Sequence, residues 1–186
     1  MVVLGLDIST SCTGYCLIDV DISQRSSLSE IGYIPISKVK DPYRKAQKIR
    51  QKLEMISKEH KIDKIYIEEN LQAFRAGFSS AKTLVTLARF NGVVSYLCSE
   101  IFQLPPEFIN VNSARKSLGL KIVRKKDGGA PTKKQVLDWV STDQPKINWP
   151  TKILKGGPNK GNEIIDPSAY DMADAYVICR AGILNI

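Results

Sequence analysis

The chain has 186 residues, of which 43% are hydrophobic and 25% are charged, a balance typical of a globular protein with a sizeable core. Its 27 Lys and Arg residues outnumber its 19 Asp and Glu residues. The net charge of +8 favours a polyanionic partner, either nucleic acid or an anionic membrane surface, although a solvated basic surface would also account for it. No apolar run approaches the ~18 residues of a membrane span, so we expect no spanning segment.

The sulfur and imidazole side chains exclude further classes of site. The four cysteines form no Cys-x-x-Cys pair and His60 is the one histidine, so we expect neither a structural zinc site nor a mechanism that uses a histidine pair. Apolar neighbours predict that Cys16, Cys98 and Cys179 are buried thiols. The N-terminus reads as a strand and not as a signal peptide, and we therefore expect a reducing, cytoplasmic compartment.

Hydrophobic patterning divides the chain into strands followed by helices. Apolar runs predict strands at 2–7, 14–20, 30–36, 64–68 and 108–111, and helical spacing predicts helices at 43–60, 80–103, 113–118, 133–141 and 167–184. The polar stretch 21–29 is predicted as a loop, and 143–166, rich in Pro, Gly and Lys, as a loop insertion. This order predicts one α/β domain over 1–186, a mixed five-stranded sheet flanked by helices.

Four acidic residues stand where the predicted elements would bring them together. Asp7 and Glu68 end two apolar strands, and ligands of open α/β sheets gather at the carboxyl ends of strands. Asp171 and Asp174 are three residues apart and share one helix face. Such a cluster of oxygen ligands favours Mg²⁺ or Mn²⁺, and a metal pair would suit in-line displacement at phosphorus. Taken singly, each residue is more readily explained as a turn former or a helix-end charge, and the interpretation depends on their joint occurrence.

Three segments with these acids, LGLDISTSCTGYCLID, IYIEE and DMADAYVI, resemble the acidic motifs of RuvC-type Holliday junction resolvases in the RNase H-like superfamily, in their phage-encoded and bacterial forms. The resemblance implies that Asp7, Glu68, Asp171 and Asp174 bind the metal ions, with two expected in each active site. It also implies a homodimer that resolves four-way DNA junctions by paired nicking. For a phage-encoded member, the compartment would be the host cytoplasm.

Basic residues are dense between positions 113 and 134. We expect this stretch to bind DNA phosphates through Arg115, Lys116, Lys121, Arg124, Lys125, Lys126 and Lys134. The resemblance also matches Lys133, with Lys134 as second choice, to a lysine that approaches the scissile phosphate. A second basic stretch, 38–52, is interpreted as the solvated face of an amphipathic helix.

The segment that follows the second acidic motif carries two aromatic side chains around an arginine. Phe74, Arg75 and Phe78 suit stacking on unpaired bases, with Phe74 as first choice, although either ring could instead anchor the segment to the core.

Two competing functions stay open on the sequence. Residues 5–11, GLDISTS, also resemble the first phosphate motif of actin-like and sugar-kinase-like ATPases, but 186 residues supply only one of the two domains those proteins need. A non-catalytic protein that binds branched DNA is the other alternative, and the presence of all four acidic residues argues against it.

Overall fold

The structure, a computed structural model, describes residues 1–69 and 81–184. Within these ranges the strands are β1 (Val2–Ile8), β2 (Cys12–Val20), β3 (Ser26–Pro35), β4 (Lys64–Glu68), β5 (Glu107–Ile109), β6 (Thr151–Ile153) and β7 (Glu163–Ile165). The helices are α1 (Pro42–Glu59), α2 (Ala81–Phe102), α3 (Val111–Ser117), α4 (Thr132–Asp143) and α5 (Ser168–Ile183), with a 3-10 turn at Lys125–Asp127. The predicted stacking residues Phe74, Arg75 and Phe78 lie outside the described residues.

The first five strands form one mixed sheet in the order β3-β2-β1-β4-β5. Strand β2 pairs antiparallel with β1 and β3, while β4 pairs parallel with β1 and β5. Because side chains alternate along a strand, Leu4 and Leu6 pack on one face with α1 and α2, and Val3 packs on the other with α5. The predicted mixed five-stranded sheet between helical layers is confirmed.

Two stretches predicted as loops contain strands. Strand β3 begins at Ser26, inside the polar stretch, because hydrogen bonding to β2 outweighs the polar composition of an edge strand. The predicted insertion 143–166 contains the β6–β7 hairpin, in which Thr151 pairs with Ile165. No helix among the described residues is long and apolar enough to cross a membrane.

The buried thiols and the helix α5 follow the sequence prediction. All four cysteines are buried and free, and Cys16 and Cys179 are fully enclosed on the α5 face of the sheet. Helix α5 begins after Asp166, whose side chain accepts hydrogen bonds from the backbone N–H and the hydroxyl of Ser168. Most of its residues are buried, so α5 packs against strands below and against α3 and α4 beside it.

Glycines let α5 lie directly on the sheet. A Cβ atom added to Gly14 of β2 would come 2.0 Å from the Asp171 carbonyl oxygen, and one added to Gly5 of β1 would come 2.5 Å from Cys179 Cβ. Both distances are far below a van der Waals contact, and backbone atoms cannot swing aside as a flexible side chain does. Side chains at these two positions would therefore push α5, and the carboxylates it carries, away from the sheet.

We predict that Gly14→Ala lowers the free energy of unfolding by about 1–3 kcal/mol, the usual cost of overpacking, and weakens any activity that needs Asp171 in place. The matched control is Gly156→Ala, because nothing lies within 4 Å of a Cβ added there. Chemical denaturation of both variants is the measurement. Equal stability of the two would contradict the close approach of α5 to β2.

Candidate active site

Two of the four acidic side chains come from neighbouring parallel strands. The register of β1 and β4 pairs Leu6 with Ile67, so that the residues that follow, Asp7 and Glu68, lie side by side at the carboxyl ends. Because side chains alternate between the two faces of a strand, both carboxyl groups point to the face of the sheet that α5 covers. The two carboxyl groups are close enough that the charge of Glu68 raises the pKa of Asp7. The strand ends thus bring together residues 61 positions apart, as the sequence predicted from strand polarity.

The other two acidic side chains come from the first two turns of α5, which faces these strand ends. Asp171 and Asp174 are 8% and 5% exposed, so both carboxylates are nearly out of water. Lys133 Nζ of α4 lies 3.2 Å from Asp171 Oδ1, and an Arg115 guanidinium nitrogen of α3 lies 2.9 Å from Asp174 Oδ1. Each helical carboxylate therefore has one cationic partner from a different helix.

The electrostatics of the cluster are those of crowded, desolvated negative charge. Burial, and then the charges of Glu68, Asp174 and Asp171, raise the pKa of Asp7 well above its usual value. Burial and Asp174 raise the pKa of Glu68 to about 6. Burial also raises the pKa of Asp174, although Arg115 opposes that shift. The cluster thus carries more negative charge than its two cations neutralise.

The sequence-predicted lysine is placed within this cluster. Burial lowers the pKa of Lys133, but the neighbouring Asp171 carboxylate and the more distant Asp174 and Asp7 raise it by more, so its ammonium group stays charged. Lys133 is still exposed on its outer side. An exposed ammonium group held by buried carboxylates can reach an anion that approaches from solvent.

Three further residues support the cluster, and the sequence analysis missed their roles. Cys12, at the start of β2, lies near Asp171, and burial and then this carboxylate raise the pKa of its thiol. Asn91 of α2 is 3% exposed, and its side-chain amide donates to the Glu68 carbonyl oxygen at 3.5 Å. Arg115, predicted as a DNA contact, instead points inward to Asp174. Of these three residues only Asn91 could have been found from the sequence, because it is a polar residue within an apolar face of a helix.

The remaining basic residues of the 113–134 stretch lie on the surface around this site. Arg124 pairs with Asp127 at 2.8 Å and Lys134 with Asp138 at 2.9 Å. The exposed residues without an ion pair to a described residue are Lys116, Lys121, Lys125 and Lys126. The Gln135 side chain hydrogen-bonds to the backbone of Val123 and Ala130. These bonds fix the segment between α3 and α4 to α4, the helix that carries Lys133.

Among the described residues, the one group of three ligand atoms within 4.8 Å of one another lies elsewhere, at Glu30, Glu59 and His60. Glu30 there already binds Lys52 at 2.9 Å and the Tyr15 hydroxyl at 2.7 Å, so its charge is balanced. The four site carboxylates form no such group of three, and two of them are paired with Lys133 and Arg115. Their all-oxygen chemistry and excess negative charge nevertheless fit a hard divalent cation.

The raised pKa values predict how stability depends on pH. A carboxyl group whose folded-state pKa is raised stabilises the fold below its unfolded pKa, and this stabilisation is lost as the pH rises through the folded value, about 6 for Glu68. In EDTA we expect the melting temperature to fall between about pH 5 and about pH 8, and to fall less in Asp7→Asn.

Magnesium should raise the melting temperature of the unaltered chain near pH 8 and leave that of Asp7→Asn almost unchanged, because ligand binding stabilises only a chain that can hold the ion. Thermal denaturation at the two pH values, with EDTA or with magnesium, measures both effects. Parallel pH profiles for the two chains would contradict the mutual repulsion of these carboxylates.

The chain is similar to known proteins in part of its sequence and in its fold. No protein-family model matches the chain. Over 95 residues, 51% of its length, it is 33% identical to the crossover junction endodeoxyribonuclease RuvC of Aliarcobacter butzleri strain RM4018, and the match spans 57% of that relative. The chain therefore spans little more than half the length of this curated relative.

Solved structures extend the likeness to the whole chain. Thermus thermophilus RuvC in complex with a Holliday junction substrate aligns with all of the chain and 95% of its own, with a TM-score of 0.66 and 16% identity. The yeast mitochondrial Holliday junction resolvase Ydc2 aligns with 97% of the chain and 77% of its own, with a TM-score of 0.53 and 13% identity. At such identities the likeness establishes the fold. The chain thus has the RNase H-like fold of the RuvC-type resolvases, and over half of its length it is similar in sequence to a RuvC protein.

Proposed function

We propose that the chain, as one nuclease domain over residues 1–186, is a metal-dependent, structure-selective endonuclease that resolves four-way or other branched DNA junctions by paired nicking. The observation that carries this proposal is the meeting of Asp7, Glu68, Asp171 and Asp174 at the carboxyl ends of β1 and β4. The sequence similarity to RuvC and the shared fold support it. The four buried, free thiols fit a reducing compartment, for which we propose the cytoplasm.

The residues present fit Mg²⁺ or Mn²⁺, and we propose two ions in each active site. Asp7, Glu68, Asp171 and Asp174 would hold them, because hard cations prefer carboxylate oxygens and the four carboxyl groups have only two cationic partners among the described residues. Bound metal would supply an activated water and stabilise the leaving oxygen of the phosphodiester.

The chain's own residues orient the substrate around this site. Lys133 is held at Asp171 with its outer side exposed, so it can neutralise charge on the scissile phosphate. Arg115 holds Asp174 and fixes the orientation of that carboxylate. Exposed basic residues of α3, of α4 and of the segment between them would bind neighbouring phosphates: Lys116, Lys121, Arg124, Lys125, Lys126 and Lys134. We retain Phe74, Arg75 and Phe78 as proposed contacts to unpaired bases.

The decisive variant is Asp7→Asn, which keeps the side-chain shape and removes a negative ligand. We expect nicking of a four-way junction in magnesium or manganese to fall by at least about a hundredfold, while junction binding in EDTA is retained. A gel assay with four-way, three-way, Y-shaped and linear DNA measures rate and branch selectivity together.

The control is Asp21→Asn, at the opposite end of the sheet, where Asp21 accepts a hydrogen bond from the Arg25 N–H. Near-normal nicking by Asp7→Asn would overturn the proposed site. Junction binding without nicking by the unaltered chain would support the non-catalytic alternative, and DNA-independent ATP hydrolysis would support the ATPase.

The outer face of α2 supports the homodimer that paired nicking needs. Val85 and Tyr96 are 49% and 65% exposed, and Ala88 and Gly92 are exposed between them at helical spacing. The opposite face of the helix packs on the sheet through Phe90, Val94 and Leu97. An exposed stripe of small and apolar side chains suits close packing against the same stripe of a second copy.

We predict that Gly92→Arg converts the homodimer to a monomer at micromolar concentration and abolishes paired nicking. A Cβ added at Gly92 meets nothing within 4 Å, so the fold itself should tolerate the substitution. Light scattering gives the mass, and Met55→Arg on α1, also an exposed apolar position, is the control. A monomeric mass for the unaltered chain, with and without DNA, would contradict the dimer.

A further inference from the structure

A cleft on the other face of the sheet carries cationic and aromatic side chains that the proposed active site does not use. It has a volume of about 390 Å³ and lies between the β1–β2 turn, the start of α1 and the middle of α2. The side chains that matter for its chemistry are Thr10, Lys40, Tyr43, Lys45, Arg89 and Phe90. Part of the basic stretch 38–52, interpreted from sequence as a solvated helix face, therefore lines a concave surface.

The cleft is adjacent to the carboxylate cluster, and one turn of chain separates them. Cys12, at one side of the β1–β2 turn, lines a shallow pocket together with Asp171 of the cluster. Thr10, at the other side, lines the cleft, and its carbonyl oxygen accepts a hydrogen bond from Lys45 Nζ. The turn itself is closed by the Ser9 hydroxyl, which donates to the Cys12 carbonyl oxygen at 2.7 Å. The β1–β2 turn therefore lines the cleft on one side and adjoins the cluster on the other.

The charge of the cleft matches a phosphodiester strand. Three cations, Lys40, Lys45 and Arg89, line it, and no Asp or Glu is among the lining residues in the part of the chain that the structure describes. The nearest acid along the chain, Asp41, faces the Arg44 N–H as the cap of α1. Backbone phosphates are the anions that a DNA endonuclease meets along a strand.

The aromatic content of the cleft matches unpaired bases rather than a duplex. Tyr43 is 77% exposed at the start of α1, whereas Phe90 is 5% exposed and forms part of the floor. A large exposed ring beside cations offers a stacking surface for a base, and every base has a face that can stack. Paired bases in a duplex present only their edges, so such a ring selects single strands.

We propose that this cleft binds a single-stranded segment of the DNA substrate, with a base stacked on Tyr43 and flanking phosphates held by Lys40, Lys45 and Arg89. The proposal rests on the nuclease function above. It adds that the cleft beyond the β1–β2 turn binds a single-stranded part of the DNA substrate. DNA would then be held on both sides of the turn, by the 113–134 stretch beside the active site and by the cleft beyond it.

The test measures binding of a labelled oligothymidylate of about twelve nucleotides in EDTA, by fluorescence anisotropy, with a duplex of equal length in parallel. Tyr43→Ala should weaken single-strand binding by at least about fivefold, as expected for the loss of one stacked base, and Tyr43→Phe should restore it. Duplex affinity should change little in either variant.

The proposed phosphate contacts are tested with Lys40→Ala and Arg89→Ala. Each should weaken single-strand binding and reduce the salt slope by about 0.7, the value for one phosphate contact on a single strand. The matched control is Lys58→Ala, an exposed lysine near the other end of α1. Ultraviolet crosslinking of the oligonucleotide, mapped by mass spectrometry, should identify Tyr43.

The outcomes separate this proposal from the proposed function. If the unaltered chain nicks junctions while Tyr43→Ala binds oligothymidylate normally, the cleft proposal is wrong and the nuclease stands. If no branched DNA is nicked but single-strand binding depends on Tyr43 and is rescued by Tyr43→Phe, the nuclease assignment is wrong and the cleft stands. Two other results would overturn the cleft proposal. One is an equal loss of single-strand affinity in Lys58→Ala and Lys40→Ala. The other is a Tyr43→Ala variant whose oligomeric mass changes while its DNA binding does not.

Discussion

The contact of helix α5 with the bare backbone of β1 and β2 is the constraint on which the site depends. Gly5 and Gly14 remove the side chains that would separate the helix from the sheet, and the Asp171 carbonyl lies where a Cβ of residue 14 would be. That approach sets two helical carboxylates against two strand-end carboxylates. A looser packing would leave Asp171 and Asp174 at the surface, solvated and too far from Asp7 to share its charge.

The close packing has an electrostatic consequence, because it concentrates negative charge in a desolvated place. Lys133 and Arg115 each take one carboxylate, yet the pKa values of Asp7, Glu68 and Asp174 are still raised. Arg115 is 13% exposed in its side chain and acts inside the site, while Lys133 faces outward. A cluster that is destabilised by its own charge is well suited to bind cations, since binding relieves the repulsion.

The same turn that follows Asp7 connects the two faces of the sheet. On the α5 face it carries Cys12, which contacts Asp171, and on the α1–α2 face it carries Thr10, which lines the cationic cleft. Arg89 of the cleft is one helical turn from Val85 and from Gly92 of the exposed stripe, so the proposed strand site and the proposed dimer face adjoin on α2.

Sequence alone predicted the order of strands and helices, the mixed sheet, the buried thiols and the four acidic residues of the proposed site. Apolar periodicity and the position of a residue at a strand end are local properties that the sequence shows directly. It did not determine that Arg115 turns inward, that Cys12 and Asn91 support the cluster, or that Lys40 and Lys45 line a cleft with Arg89. Those facts depend on contacts between residues far apart in the chain, such as Arg115 with Asp174. A basic residue looks the same in sequence whether it faces solvent or a carboxylate, and only the packing of α3, α4 and α5 on the sheet decides between the two.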